Sequence, residues 1–237
     1  MLWACRHAAC GHGGLSAMKY GLQFRDVFAA WESILDGVWI TLLLSACAML
    51  GGLAIGVACA AARVYGPGSL KRIVGGYVEV IRNTPLLVQL FLIFFGLPSF
   101  GLRLDGLTAA IIALVINLGA YTTEIVRAGL EAVPKAQTEA GHSLGLSGLQ
   151  VFRYIVMFPA LKSMFPALAS QFVLLMLATS VVSQISVEDL FHAASIVQSR
   201  TFRDFEVYTV ISVLYLGLAL AFRGLFAGIY YWAFVRR

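Results

Sequence analysis

Any chemistry in this chain must come from a small supply of polar side chains. Cys5, His7, Cys10 and His12 stand close together near the start. All four are zinc-type ligands, so a metal cluster is one reading of them. Spacing is its whole support, and the competing reading makes residues 1–17 a non-native stretch ahead of a true start at Met18. No signal peptide is expected there, because the stretch has no sustained apolar run and no cleavage site. Cys47 and Cys59 lie in an apolar run and read as small hydrophobes, so no disulfide framework is expected. The sequence has no G-x-x-x-x-G-K-S/T loop, no H-E-x-x-H and no nucleophile–base pair. The chain is therefore not expected to be an enzyme, to hold ATP or to carry a cofactor.

The remaining polar residues suit recognition. Thr179, Ser180, Ser183 and Gln184 form a stripe in an apolar stretch, and helical spacing brings Ser180, Ser183 and Gln184 together. They could hydrogen-bond a small ligand or bond across helices, and both readings stay open. Asn117 carries the same two readings. Glu124 could meet a cationic group of a ligand, but a salt bridge with Arg127 at i+3 is the preferred reading. The shortage of acidic groups in these stretches argues against strict cation specificity.

The elements that would position these residues follow from composition. Of 237 residues, 60% are apolar and 12% charged, against roughly 45–50% and about 25% in soluble domains. Uncharged stretches run from 37 to 62, 83 to 102, 106 to 123, 163 to 187 and 207 to 222. About 20 apolar residues cross a bilayer core. Because these runs do not alternate as barrel strands would, five transmembrane helices are expected. Pro85 and Pro166 are placed near the starts of the second and fourth. Gly52 and Gly56 form a G-x-x-x-G pattern expected to pack helices closely. Arg223 is expected to mark the end of the fifth span, with the last residues along the inner surface; the alternative is an arginine snorkelling within a longer tilted helix. The net charge of +5 is spread between apolar runs, which fits lipid headgroups better than nucleic acid. Basic residues in the links after the first and third spans place the N-terminus outside and the C-terminus in the cytoplasm. The expected organisation is an extracytoplasmic tail over 1–36 and a membrane domain over 37–237, with a cytoplasmic loop at 132–162.

That loop is the most informative segment. Gly145 is suited to end a helix in the left-handed conformation. Ser147 with Gln150 can open the next helix through a capping box. The result is a helix–glycine–helix elbow, suited either to docking into a partner's groove or to lying on headgroups as an amphipathic helix. Its residues Glu139, Ala140, Gly145 and Ile155 resemble the E-A-A-x3-G-x9-I-x-L-P loop of permeases from binding-protein-dependent ABC importers. Gly141 replaces the second Ala, Met157 the Leu, and Pro159 comes one place late, which leaves the approach of the fourth span open. The stretches 79–89, 121–129, Thr179-Ser180 and 187–190 resemble the polar amino-acid permeases in particular, and the likeness runs from about Asp36 to Arg237.

The resemblance implies an all-α ABC importer permease fold in a bacterial inner membrane, paired with a second copy or a paralogue. It implies docking of ATP-binding cassette ATPase subunits at Glu139, Ala140, Gly141, Gly145 and Ile155. It also implies delivery of an amino acid by an extracytoplasmic solute-binding protein. Which amino acid is carried is not readable from the residues. The rivals are a stand-alone secondary transporter or channel, and a redox membrane subunit. No internal repeat supports the first, and no mid-span His supports the second.

Overall fold

A computed structural model describes residues 22–236, all helical or connecting. Cys5, His7, Cys10, His12 and Met18 lie outside the described residues. The helices are α1 (Arg25–Ala29), α2 (Trp31–Tyr65), α3 (Gly68–Arg82), α4 (Leu86–Phe91), α5 (Gly106–Glu131), α6 (Lys135–Ser143), α7 (Gly148–Val151), α8 (Met157–Ala178), α9 (Leu190–Thr201) and α10 (Asp204–Tyr230). Four units are long and apolar enough to cross a membrane, and the α3–α4 pair, bent by 108°, makes a fifth. The five-span expectation thus holds, with three changes of detail.

The second span is broken, not a single helix starting at Asn83. α3 ends at Arg82, and α4 starts after Pro85 and continues through a π turn (Leu92–Gly96) and a 3₁₀ turn to Phe100. A count of uncharged residues hides α3, which is amphipathic and carries Lys71, Arg72, Glu79 and Arg82. The fourth span begins at Gly148, because α7 runs through a π turn (Phe152–Val156) into α8 without a stop. Pro166 is therefore inside a helix, not near its start. Finally, α10 passes through Arg223 unbroken and continues in a π turn to Val235. A single arginine does not stop a helix whose backbone bonds are all internal.

Packing is centred on α2 against α5. Gly52 and Gly56 present bare backbone to Leu118 and Thr122, and a Cβ at Gly52 would come within 2.7 Å of the Leu118 side chain. A central core of Leu44, Leu90, Leu114, Leu118 and Leu175 joins α2, α4, α5 and α8. A second cluster, with Ala60, Val126, Val151 and Ala160, seats the elbow on one end of the bundle. A third, with Val27, Ile34, Leu190 and Val207, closes the opposite end beneath α1 and α9. There the Leu190 N–H donates to Thr41 Oγ1 at 3.2 Å, and buried Glu206 accepts from the Gln23 N–H at 3.0 Å.

Candidate functional site

Two features stand out, one at the elbow end and one at the broken span. The elbow is fixed by its own backbone. Gly145 has φ +78°, its N–H donates to His142 O at 2.9 Å, and the Leu146 N–H donates to Gly141 O at 3.2 Å. Those two bonds are the Schellman pattern that satisfies the last carbonyls of α6. On the far side the Ser147–Gln150 capping box is present, with the Ser147 N–H donating to Gln150 Oε1 at 2.8 Å. Gly141 is buried against Ile155 and Val151, so the two arms of the elbow pack on each other at that glycine. Glu139 and Ala140 are exposed. So are the large apolar residues Leu144, Leu149 and Tyr154, at 81%, 78% and 69%. The late proline coincides with the π turn that precedes it. Pro159 offers no N–H to the Ile155 carbonyl, and a wider turn accommodates that loss.

The broken span surrounds a cavity of about 510 Å³ lined by residues that include Arg82, Thr84, Asn117, Tyr121 and Gln171. Gln89 holds the break together. Its Nε2 donates to Ile81 O at 2.7 Å and to Thr84 O at 3.0 Å, while its Oε1 accepts from Asn117 Nδ2 at 2.9 Å. Asn117 is buried but lines the cavity, and no hydrogen bond to its Oδ1 is present among the described residues. The Arg82 guanidinium stands 5.4 Å from the centre of the Tyr121 ring and makes no ion pair among the described residues. Sequence reasoning missed Arg82, Gln89 and Gln171 as site residues. The signal was available in a polar Glu79–Pro85 stretch opening an apolar run, since transporter sites gather at broken helices near the midplane.

The other anticipated residues are placed differently. Glu124 is tied by two arginines, Arg127 at 2.7 Å and Arg63 from the end of α2. Thr179, Ser180, Ser183 and Gln184 lie in a 3₁₀ turn, not an α-helix; its period of three keeps Ser180 and Ser183 on one face, and Gln184 Nε2 lies 3.5 Å from Ser183 Oγ. Each hydroxyl donates to its own backbone, to Met176, Leu177 and Ser180 carbonyls at 2.7–2.9 Å. Thr179 is fully buried and Gln184 exposed. Hydrogen bonds from this stripe to another helix are absent among the described residues.

Comparison with known proteins places these features in a family. The family model of the binding-protein-dependent transport system inner membrane component matches residues 52–237. The chain is 38% identical over 194 residues to the probable glutamine ABC transporter permease protein GlnM of Bacillus subtilis (strain 168), covering 82% of this chain and 90% of that one. It is 36% identical over 204 residues to the glutamine transport system permease protein GlnP of Escherichia coli (strain K12), covering 84% and 93%. The crystal structure of an amino acid ABC transporter with histidines superposes with a TM-score of 0.84 at 36% identity, over 89% of this chain and 98% of that one. The MetNI methionine ABC transporter, at 20% identity and a TM-score of 0.71, shares the fold.

Proposed function

Because the chain belongs to the inner-membrane components of binding-protein-dependent transport systems, among the amino-acid ABC permeases, we propose that it carries a polar amino acid inward and takes its driving force from a separate ATPase subunit docked at the elbow. The observation behind this reading is the elbow itself. It is a rigid, doubly capped corner holding Leu144, Leu149 and Tyr154 outward beside exposed Glu139. Exposed large apolar groups next to a fixed turn suit a partner's groove. Ala140, Gly141, Gly145 and Ile155 shape that corner.

The same reading puts the elbow in the cytoplasm, together with the C-terminus, and residues 1–36 with α9 on the outer side. A solute-binding protein would release its amino acid there, toward a path shared with a second permease copy or a paralogue. At the broken span Arg82 would hold the substrate carboxylate, as a charge-assisted bond to a guanidinium is directional and strong. Asn117 Oδ1 would accept from the ammonium group. Ser180, Ser183 and Gln184 would line the outer half of the path. Glu124 would serve as an ionic tie between α2 and α5, not a substrate contact, since both its oxygens face arginines.

The test is a native pull-down from detergent, with wild type compared with Gly145→Asp and Leu149→Asp by mass spectrometry. An ATP-binding subunit should co-purify with wild type and be lost from Leu149→Asp; Gly145→Asp should reduce it by straining a backbone at φ +78°. Equal recovery from all three chains overturns the elbow's role.

A further inference from the structure

We propose that the groove between α8 and α10 is a binding site for an anionic phospholipid, whose phosphate is held by Arg223. The groove has a volume of about 510 Å³, and Phe165, Pro166, Ser170, Arg223, Phe226 and Tyr230 lie along it. Arg223 is exposed, and it makes no hydrogen bond or ion pair among the described residues. Only 6% of the apolar window of α10 is buried, so little among the described residues covers that helix. An uncompensated cation in a spanning helix is costly and is met by an anion, by water or by protein.

The charges of the two helices select among those. Neither 148–187 nor 207–237 contains an Asp or Glu, whereas Arg153, Lys162, Arg223, Arg236 and Arg237 lie in them. The carboxylates of α10, Asp204 and Glu206, stand at its other end, 17 or more residues before Arg223, too far along the helix to neutralise it. Lys162 stands one turn before Pro166 and, at i+4, i+7 and i+11, shares a face of α8 with Pro166, Ala169 and Val173. That puts a second cation at the elbow-side mouth of the groove.

Depth fits a headgroup. Tyr230, Tyr231 and Trp232 form an aromatic band near the end of the helix, with Tyr231 and Trp232 exposed, as at a membrane interface. Arg223 is seven residues away from Tyr230, about 10 Å along the axis. Its own side chain and a phosphate drawn toward Pro166 can share that distance, and the aromatic walls receive an acyl chain. The groove is separate from the substrate cavity, which meets α8 on the face of Gln171, Leu174 and Ala178.

The experiment titrates the delipidated importer complex with vesicles of dioleoyl-phosphatidylcholine containing dioleoyl-phosphatidylglycerol, and reads retained lipid by native mass spectrometry. Wild type should retain phosphatidylglycerol in preference to phosphatidylcholine. Arg223→Gln should lower that preference about fivefold, the effect of one basic contact; Arg223→Lys should keep much of it. Ser170→Leu, which fills the groove and leaves the charge, should lower total lipid retained and guards against an Arg223 variant that fails to assemble. An unchanged preference in Arg223→Gln overturns the proposal. So does a disulfide between two copies of Ala227→Cys in a cysteine-free chain, because a second copy would then cover the face.

Discussion

Gly141 stands where the motif's second alanine would be, and the structure gives the reason a small residue is needed. The position is buried, and Ile155 and Val151 press on it from the other arm of the elbow. The atom nearest an added Cβ is the far end of the Ile155 side chain, which can rotate away. Gly141→Ala should therefore lower stability by less than about 1 kcal/mol, whereas Gly141→Leu should lower it by roughly 1–3 kcal/mol through overpacking. Ile155→Ala should recover part of the loss, as read by thermal unfolding of the double variant. Asp189 sets a second prediction at this scale. It caps α9 through the His192 N–H at 2.9 Å and is fully buried. Burial pushes its carboxyl from 3.8 up to about 6, against the pull of backbone N–H groups at His192 and Phe191 and the Tyr215 hydroxyl. The unfolded chain thus loses this proton near pH 4 and the folded chain near pH 6. Stability should fall as pH rises between those values and level off above them. Asp189→Asn keeps a capping side chain. It should flatten the slope and raise stability at pH 7.5 by on the order of 2–3 kcal/mol. Melting curves from pH 4 to 7.5 check this; an unchanged slope would refute it.

At the scale of elements, α2 and α5 approach so closely because Gly52 and Gly56 lack side chains. Gly56→Leu should separate them and destabilise the protein by roughly 1–3 kcal/mol or more. It should also loosen the Arg63–Glu124 tie one to two turns further on. Gly217→Leu is the control: it is also a helix glycine, but a Cβ there meets open space. Equal melting temperatures for the two variants would show that the contact does not depend on the glycine. The G-x-x-x-G pattern was legible as a packing site from spacing alone. Its partner helix was not, because spacing identifies a bare face and not what lies on it. The π turn before Pro159 was legible only as a displaced proline, and the interior position of Pro166 was hidden by the fusion of α7 with α8.

For the whole molecule, the break at residues 83–85 matters most, since it gathers α3, α4, α5 and α8 around one cavity. If Arg82 holds the substrate carboxylate, Arg82→Gln removes a charged hydrogen bond worth about 1.5–3 kcal/mol. The half-saturating amino-acid concentration for uptake should then rise about tenfold or more, while the ATPase subunit still co-purifies. Uptake at the wild-type concentration would remove Arg82 from the substrate path.

What the sequence determined by itself was what its local chemistry dictates. Uncharged runs of about the length of a bilayer core demanded spanning helices, and Gly145, Ser147 and Gln150 specified the elbow through backbone geometry confined to a few residues. Only the tertiary structure decided the rest. Arg82, Gln89 and Asn117 are separated by up to 35 positions, and their meeting depends on how α3 and α4 fold back against α5. Likewise, Glu124 looked like a pair with Arg127 but also takes Arg63 from 61 residues away. The polar stripe after Ala178 folds as a 3₁₀ turn, and that period of three still leaves Ser180 and Ser183 on one face. Helix period and charge are local properties, whereas a polar cluster depends on which faces the long-range packing brings together.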